Sequence, residues 1–389
     1  MKVCVPREIK EGEKRVALVP DVISKLTKLG YQVEIESGAG ITSQASDSAY
    51  TAAGAKVISG DVLASADVVL SVQPLTPAQM KSLKKGAVTI SFLSPTTSVD
   101  SIDAAASAGV TAFSLELVPR ISRAQSMDAL SSQALCAGYR AALVGAELSP
   151  RFFPLLMTAA GTVTPAQVLV LGAGVAGLQA IATARRLGAV VSAYDVRPAS
   201  ADEVRSMGAT FIQLELEALE GAGGYAREMT EERAAKQREL LTPYIAKSHI
   251  VITTAAVPGR TAPRLMTQAM VDAMEAGTII VDLAAETGGN VEGSKPGEIV
   301  ETAGGVRIWG GKDVPSQLPF HASSLYSRNV VNLLTLMTTP AAAAKEDKPA
   351  QDLALNINFD DEIINGAAVT HGGARRTPQA APEVAKAAK

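Results

Sequence analysis

Cysteine, histidine and aromatic residues are all scarce in this chain, and no apolar run is long. Its two cysteines, Cys4 within an apolar run and Cys136 far from it, show neither a disulfide framework nor metal-ligand spacing. They read as small core residues of a protein from a reducing compartment. Three histidines, His249, His321 and His371, leave little material for general acid–base catalysis by imidazole. Each reads better as a structural residue. No apolar stretch approaches the ~20 residues needed to span a bilayer. The candidates around Gly172 and Val330 are broken by glycine, proline or polar residues. The opening MKVCVPREIKEGEKR turns charged at once and lacks the apolar core of a signal peptide, which points to the cytoplasm. A formal charge of −3, without lysine and arginine runs interleaved with aromatics, excludes the basic field that nucleic acid requires.

What is present is apolar and alternating. With 389 residues, 47% of them hydrophobic, the chain can bury a large core and is expected to form two domains. Short apolar runs (KVCVP, QVEIES, AKVIS, DVVLSV, AVTISFL, VTAFSLE) alternate with helical patterns such as PDVISKLTKLG, whose Gly30 suits a helix C-cap. A second series, QVLVLG, VVSAYD, TFIQLE, HIVITTA, TIIVDLA and VRIWG, has the same rhythm. The alternation predicts an α/β protein of two Rossmann-like domains with parallel sheets and a cleft between them. A helix from about Ser126 to Glu147 is expected to carry the chain out of the first domain, and one near His321–Met337 to return it. The expected boundaries are 1–130 plus 322–389 for the first domain and 131–321 for the second. LNINFDDEIINGAAVTHGG reads as two strands around a turn, AAAAKEDKPA as a loose connector, and 375–389 as a disordered tail.

The sharpest local signal is VLVLGAGVAGLQAIATARRLGAVVSAYDVR. A strand runs into Gly172, Gly174 and Gly177, a helix comes next, and a second strand ends at Asp195. Gly172 permits the tight turn, Gly174 lets a pyrophosphate approach the backbone, and Gly177 lets the helix pack on the strand. The first helical amides then face the phosphates. Asp195 sits where a carboxylate accepts from an adenosine ribose hydroxyl and repels a phosphate there, which favours NAD over NADP. Arg197 tempers this preference, for it either pairs with such a phosphate or is simply solvated.

One segment, PRISRAQSMDALSSQ followed by AGYRA, closely resembles the signature loop of the NAD(H)-binding component of proton-translocating transhydrogenases. The likeness continues through MTAAGTV, the glycine block, GGYAREM, ITTAAVPG and IIVDLAAETGGN, and so covers nearly everything before the tail. The resemblance implies that Arg120, Ile121, Ser122, Gln125, Asp128 and Ser131 form the loop that holds the nicotinamide, with Gln125 orienting the ring. It implies NAD(H) contacts at Val175, Ala176, Val196, Gly224, Gln237 and Ala256 as well, and a mobile flap around Tyr225. Taken alone, the same residues also read as a capped helix start and as a surface helix with a glycine-rich entry.

By that resemblance the chain binds NAD(H), a partner component holds NADP(H), and hydride passes directly between them, in the Re/Si-specific rather than the Si-specific class. A membrane-spanning component couples the exchange to proton movement. The chain is then a homodimer at the cytoplasmic face of the inner membrane, attached through its partners. Two rival readings remain. An amino-acid dehydrogenase of the alanine dehydrogenase kind shares PREIKEGEKRVALVP and its Arg15, but the lysine and histidine expected of that family stand here as Ser71 and Ser94. A non-catalytic NAD sensor uses the glycine turn for binding alone.

Overall fold

The computed structural model describes residues 1–216, 230–257, 259–340 and 352–376. The chain divides into two compact units, Met1–Gln133 with Leu318–Lys389, and Ala134–Gln317. In the first, the six apolar runs form β1 (Lys2–Val5), β2 (Gln32–Glu36), β3 (Lys56–Ile58), β4 (Val68–Leu70), β5 (Val88–Ser91) and β6 (Thr111–Ser114). They pair in parallel in the order β3-β2-β1-β4-β5-β6. Strands covered on both faces need apolar residues at successive positions, and β4, β5 and β6 are buried throughout. Local chemistry sets the first helix, Pro20–Leu29: a proline opens it and Gly30, at φ 104°, closes it in the left-handed region. Val22, Ile23 and Leu26 give that helix its buried face.

A hairpin of β7 (Leu156–Thr158) and β8 (Gly161–Val163) precedes the second sheet. That sheet contains β9 (Gln167–Leu171), β10 (Val190–Tyr194), β11 (Thr210–Phe211), β12 (Ile250–Thr253), β13 (Ile279–Asp282), β14 (Ile299–Glu301) and β15 (Arg307–Gly310). Its order is β11-β10-β9-β12-β13-β15-β14, parallel except for β14 at the edge. In both sheets the order reverses beside the first strand, so each has a topological switch point, where doubly wound proteins bind ligands.

The structure corrects three expectations. The long helix starts at Ala129, not near Ser126, because residues Ser122–Met127 wind as a tighter 3-10 helix and Asp128 caps the α-helix after it. The segment expected to be two strands around a turn contains the helix Glu362–Ala367, nucleated by Asp361, whose carboxylate accepts from the amides of Ile363 (2.8 Å) and Ile364 (3.4 Å). Only the residues beyond that helix pair as a hairpin, Thr370–His371 with Ala374–Arg375. The RFFPLLMTAAGTV stretch, given no element by pattern, forms the β7–β8 hairpin, and β14 was also unforeseen. The connector AAAAKEDKPA and the residues from 377 onward lie outside the described residues.

Candidate nucleotide-binding site

The glycine turn comes directly after β9. Gly172 adopts φ 102°, and a Cβ there would stand 2.6 Å from Thr254 Oγ1. Gly177 lies in the first turn of the helix Val175–Arg186, where a Cβ would meet the Gly172 carbonyl oxygen at 1.9 Å. Both positions are glycine because the protein itself leaves no room. Gly174 is different: its φ of −77° suits any residue, and the nearest heavy atom to a Cβ would be Arg197 Nη2 at 4.0 Å. Among the described residues neither backbone conformation nor packing demands glycine there, which leaves open space beside the turn. The amides of the next helical turn have no intrahelical acceptor, and a pyrophosphate supplies one. Val175 is exposed and Ala176 partly so.

Asp195, at the end of β10, is fully engaged. Its Oδ2 accepts from the amide of Ala173 (2.7 Å), which ties the second strand to the glycine turn. Arg197 clasps the carboxylate with Nε on Oδ1 (2.9 Å) and Nη2 on Oδ2 (2.8 Å), and its own amide also donates to Oδ1 (2.9 Å). Arg197 is therefore neither simply solvated nor waiting for a phosphate; its partner is Asp195. A ribose diol would reach the carboxylate by displacing the partly exposed guanidinium. Val196 lies between the two, partly buried.

Sequence reading missed three supports of this turn. Thr254 Oγ1 donates to the Gly172 carbonyl (3.0 Å), joining the loop after β12 to the loop after β9. Asn290, fully buried, accepts from the Ala255 amide and donates to the carbonyls of Ala255 and Pro263, and so holds exposed Ala256 in place. Gly138 allows the long helix Ala129–Leu148 to touch the Ala176 backbone, for a Cβ would lie 2.0 Å from its oxygen. The TGGN ending of IIVDLAAETGGN carried the signal for Asn290 only as part of a motif; nothing local singles out Gly138. Gln237 is buried, its Oε1 accepting from the Tyr194 hydroxyl at 3.2 Å, and so links its helix to β10. Gly224 and Tyr225 lie outside the described residues.

In the first unit, the signature loop surrounds a cavity of about 320 Å³, lined by Pro119, Arg120, Ile121, Ser122, Ala124, Gln125, Asp128 and Ser131. All six loop residues expected from the sequence are thus brought together. Arg120, Ser122 and Gln125 are exposed, while Ala124 and Met127 turn into the core. Asp128 takes the Ser131 amide (2.8 Å) and hydroxyl (2.6 Å) on its two oxygens, which makes this pair the cap of the long helix. The capped helix start is thus observed, and the two capping residues also line the cavity.

A larger cavity, about 480 Å³, lies at the ends of β1, β4 and β5 and includes Glu8, Gln73, Ser71 and Ser94. Glu8 accepts from the amides of Val72 (2.6 Å) and Gln73 (3.1 Å), yet burial pushes its carboxyl up to about 7. Ser94 is held at φ 46° by Glu116, whose carboxylate takes the amides of Leu93 (3.0 Å) and Ser94 (2.8 Å). Arg15, buried nearby, grips Glu13 through Nε (2.8 Å) and Nη2 (2.6 Å) and donates to Gln133 Oε1 (2.9 Å). Among the described residues Lys10 is the single lysine lining this cavity, and no histidine does.

Two doubly wound sheets, one carrying a glycine turn whose middle glycine faces open space, define a dinucleotide-binding α/β protein. The chain belongs to the alanine dehydrogenase/PNT family: the family's N-terminal domain matches residues 4–137 and its C-terminal domain residues 141–375. An NAD(P) transhydrogenase subunit alpha protein of Rhodospirillum rubrum is 47% identical over 384 residues, covering 96% of this chain and 97% of that protein. The NAD(P) transhydrogenase subunit alpha of Cereibacter sphaeroides is 46% identical, with 97% of this chain matching 71% of it. The alanine dehydrogenase of Mycobacterium tuberculosis is more distant, 33% identical over 76% of each chain. Among solved structures, the transhydrogenase from Sinorhizobium meliloti superposes with a TM-score of 0.83 at 42% identity, covering 97% of this chain and 99% of that one. Among the described residues no helix is long and apolar enough to cross a membrane.

Proposed function

We propose that this chain is the NAD(H)-binding component of a proton-translocating NAD(P) transhydrogenase, exchanging hydride with NADP(H) held on a separate subunit, in the Re/Si-specific class. The observation that carries the reading is a pair of features. One is a glycine turn that reserves space at Gly174; the other is a loop cavity lined by Arg120, Gln125, Asp128 and Ser131 with no histidine or lysine among them. When bound, dihydronicotinamide supplies the hydride, and transfer to a second nicotinamide moves no proton, so positioning is the main demand on the protein. Gly172, Gly174, Val175, Ala176 and Gly177 receive the pyrophosphate; Asp195, Val196 and Arg197 face the adenosine ribose; Gln237 and Ala256 complete the nucleotide-side contacts. Arg120, Ile121, Ser122 and Gln125 receive the nicotinamide and its ribose, and Asp128 with Ser131 fixes the end of that loop. Gly224 and Tyr225 are assigned to a flap over the nucleotide on the family resemblance alone.

Assembly accords with the same reading. The chain acts as a homodimer bound to an NADP(H)-holding subunit and, through it, to a membrane-spanning subunit at the cytoplasmic face of the inner membrane. The β7–β8 hairpin supports the homodimer, because Met157 within it is 80% exposed, Phe152 and Leu155 on the chain leading into it are 61% and 52% exposed, and two strands alone are stabilised poorly in water. The deciding experiment mixes the purified chain with an NADP(H)-binding transhydrogenase subunit and measures NADH oxidation by NADP+ in single turnover. A parallel arm offers pyruvate and ammonium. Transfer that requires the partner, with no pyruvate turnover, is expected. Pyruvate turnover would instead make the chain an amino-acid dehydrogenase, and NADH binding with silence in both arms would make it a sensor.

A further inference from the structure

The signature loop is short, exposed on the side that lines its cavity, and yet closely held from behind. Ser126, the residue after Gln125, offers one carbonyl oxygen to two side-chain amides: Asn329 Nδ2 and Asn332 Nδ2 each donate to it at 3.0 Å. Both asparagines belong to the helix Pro319–Leu336 and stand one turn apart on one face of it. On the other flank Arg123 makes a two-pronged pair with Asp361, Nη1 to Oδ2 at 2.8 Å and Nη2 to Oδ1 at 2.9 Å. Ala124 between these anchors and Met127 just beyond them are sunk in the core. Gln125 therefore has a fixed main chain on both sides and an exposed side chain.

Asn329 supplies a second, independent sign. It is 7% exposed, and among the described residues its Oδ1 has no hydrogen-bond partner. A buried amide with an orphaned acceptor is a burden that a leucine of similar size would spare the core. Among the described residues the one thing its side chain does in return is donate to Ser126. Two donors occupy both lone pairs of that single carbonyl and so fix its direction from two sides.

We infer that Asn329 and Asn332 are positioning residues for hydride transfer: through the Ser126 carbonyl they set where the Gln125 side chain meets the nicotinamide. This rests on the proposed function, and it adds residues from the returning C-terminal segment that neither touch nucleotide nor belong to the signature motif. Their effect is on geometry rather than affinity, because displacing a reacting group by an ångström costs rate steeply while the remaining nucleotide contacts stay intact.

The test uses Asn332→Asp, which keeps the shape of the partly exposed residue but removes the donor and sets a carboxylate against the carbonyl. The full chain is assayed with an NADP(H)-binding subunit in single turnover, and NADH affinity is measured separately by fluorescence. The expected result is a fall in transfer rate of ~10-fold or more, with an NADH dissociation constant within about threefold of the unmodified chain. Asn332→Gln, which restores a donor, should recover part of the rate. In a Gln125→Ala background the Asn332→Asp change should slow transfer little further, since the side chain through which it acts is gone. An unchanged rate in Asn332→Asp, or rate losses that simply multiply in the double variant, would overturn the inference. No transfer by the unmodified chain would overturn the proposed function itself, so the two failures are told apart.

Discussion

At the scale of single residues, the most informative pairing is Asp195 with Arg197. The carboxylate does two jobs: it receives the Ala173 amide of the glycine turn and it holds the Arg197 guanidinium by two bonds. Removing it strips an anchor from the turn and takes a negative charge away from the place where an adenosine 2′-phosphate would sit. Asp195→Ala is therefore expected to weaken NADH binding about tenfold or more, charge-assisted bonds being worth roughly 1.5–3 kcal/mol each. It should also narrow the preference over NADPH, because the carboxylate that repels a phosphate at that position is gone. Titrations of both nucleotides check this, and an unchanged ratio of affinities would remove Asp195 from the selectivity role. The sequence placed Asp195 by its distance from the glycines, yet the clasp by Arg197 depends on a side-chain conformation that spacing does not specify.

At the scale of the element, strand, turn and helix make a unit whose three glycines differ in purpose. Gly177→Ala would push a methyl to 1.9 Å from the Gly172 oxygen, so the helix must lift off β9. Overpacking of this kind costs ~1–3 kcal/mol and should lower the melting temperature by several degrees. Among the described residues Gly174→Ala meets no atom nearer than 4.0 Å and should leave melting unchanged. Its methyl occupies the approach of the pyrophosphate, so NADH binding should fall by about ten times or more. Calorimetry without nucleotide and then NADH titration separate the two. Equal loss of stability in both variants would contradict the separate purposes of Gly174 and Gly177. The same scale explains why the element around Asp361 escaped pattern reading: LNINFDDEII offers alternating apolar residues, and what decides for a helix is the capping carboxylate of Asp361 and the burial of Ile363, Ile364 and Ala367.

At the scale of the whole molecule, the exposed hairpin is the feature a lone chain explains least. Phe152, Leu155 and Met157 spend apolar surface on water while Phe153, between them, is buried. If a second copy covers that surface, the paired change Leu155→Asp and Met157→Asp should convert a dimer to a monomer, measured by light scattering at micromolar concentration, without altering the melting of the isolated sheets. A monomeric unmodified chain would remove the homodimer from the proposal, and a variant that stays dimeric would move the interface elsewhere.

The alternation of apolar runs with helical patterns determined the α/β class and the strands β1 to β6, β9 to β13 and β15, since burial on both faces of a parallel sheet leaves its mark on consecutive residues. The glycine spacing likewise determined the turn after β9, because backbone geometry is a local property. Tertiary structure alone decided what holds these pieces in working order. Asn329 reaches Ser126 across 203 positions, Arg123 reaches Asp361 across 238, and Asn290 reaches Ala255 across 35. A side-chain amide bound to a distant carbonyl leaves no periodicity in the sequence. Its partner exists only once the helix Pro319–Leu336 has packed behind the loop, so folding rather than pattern selects those residues.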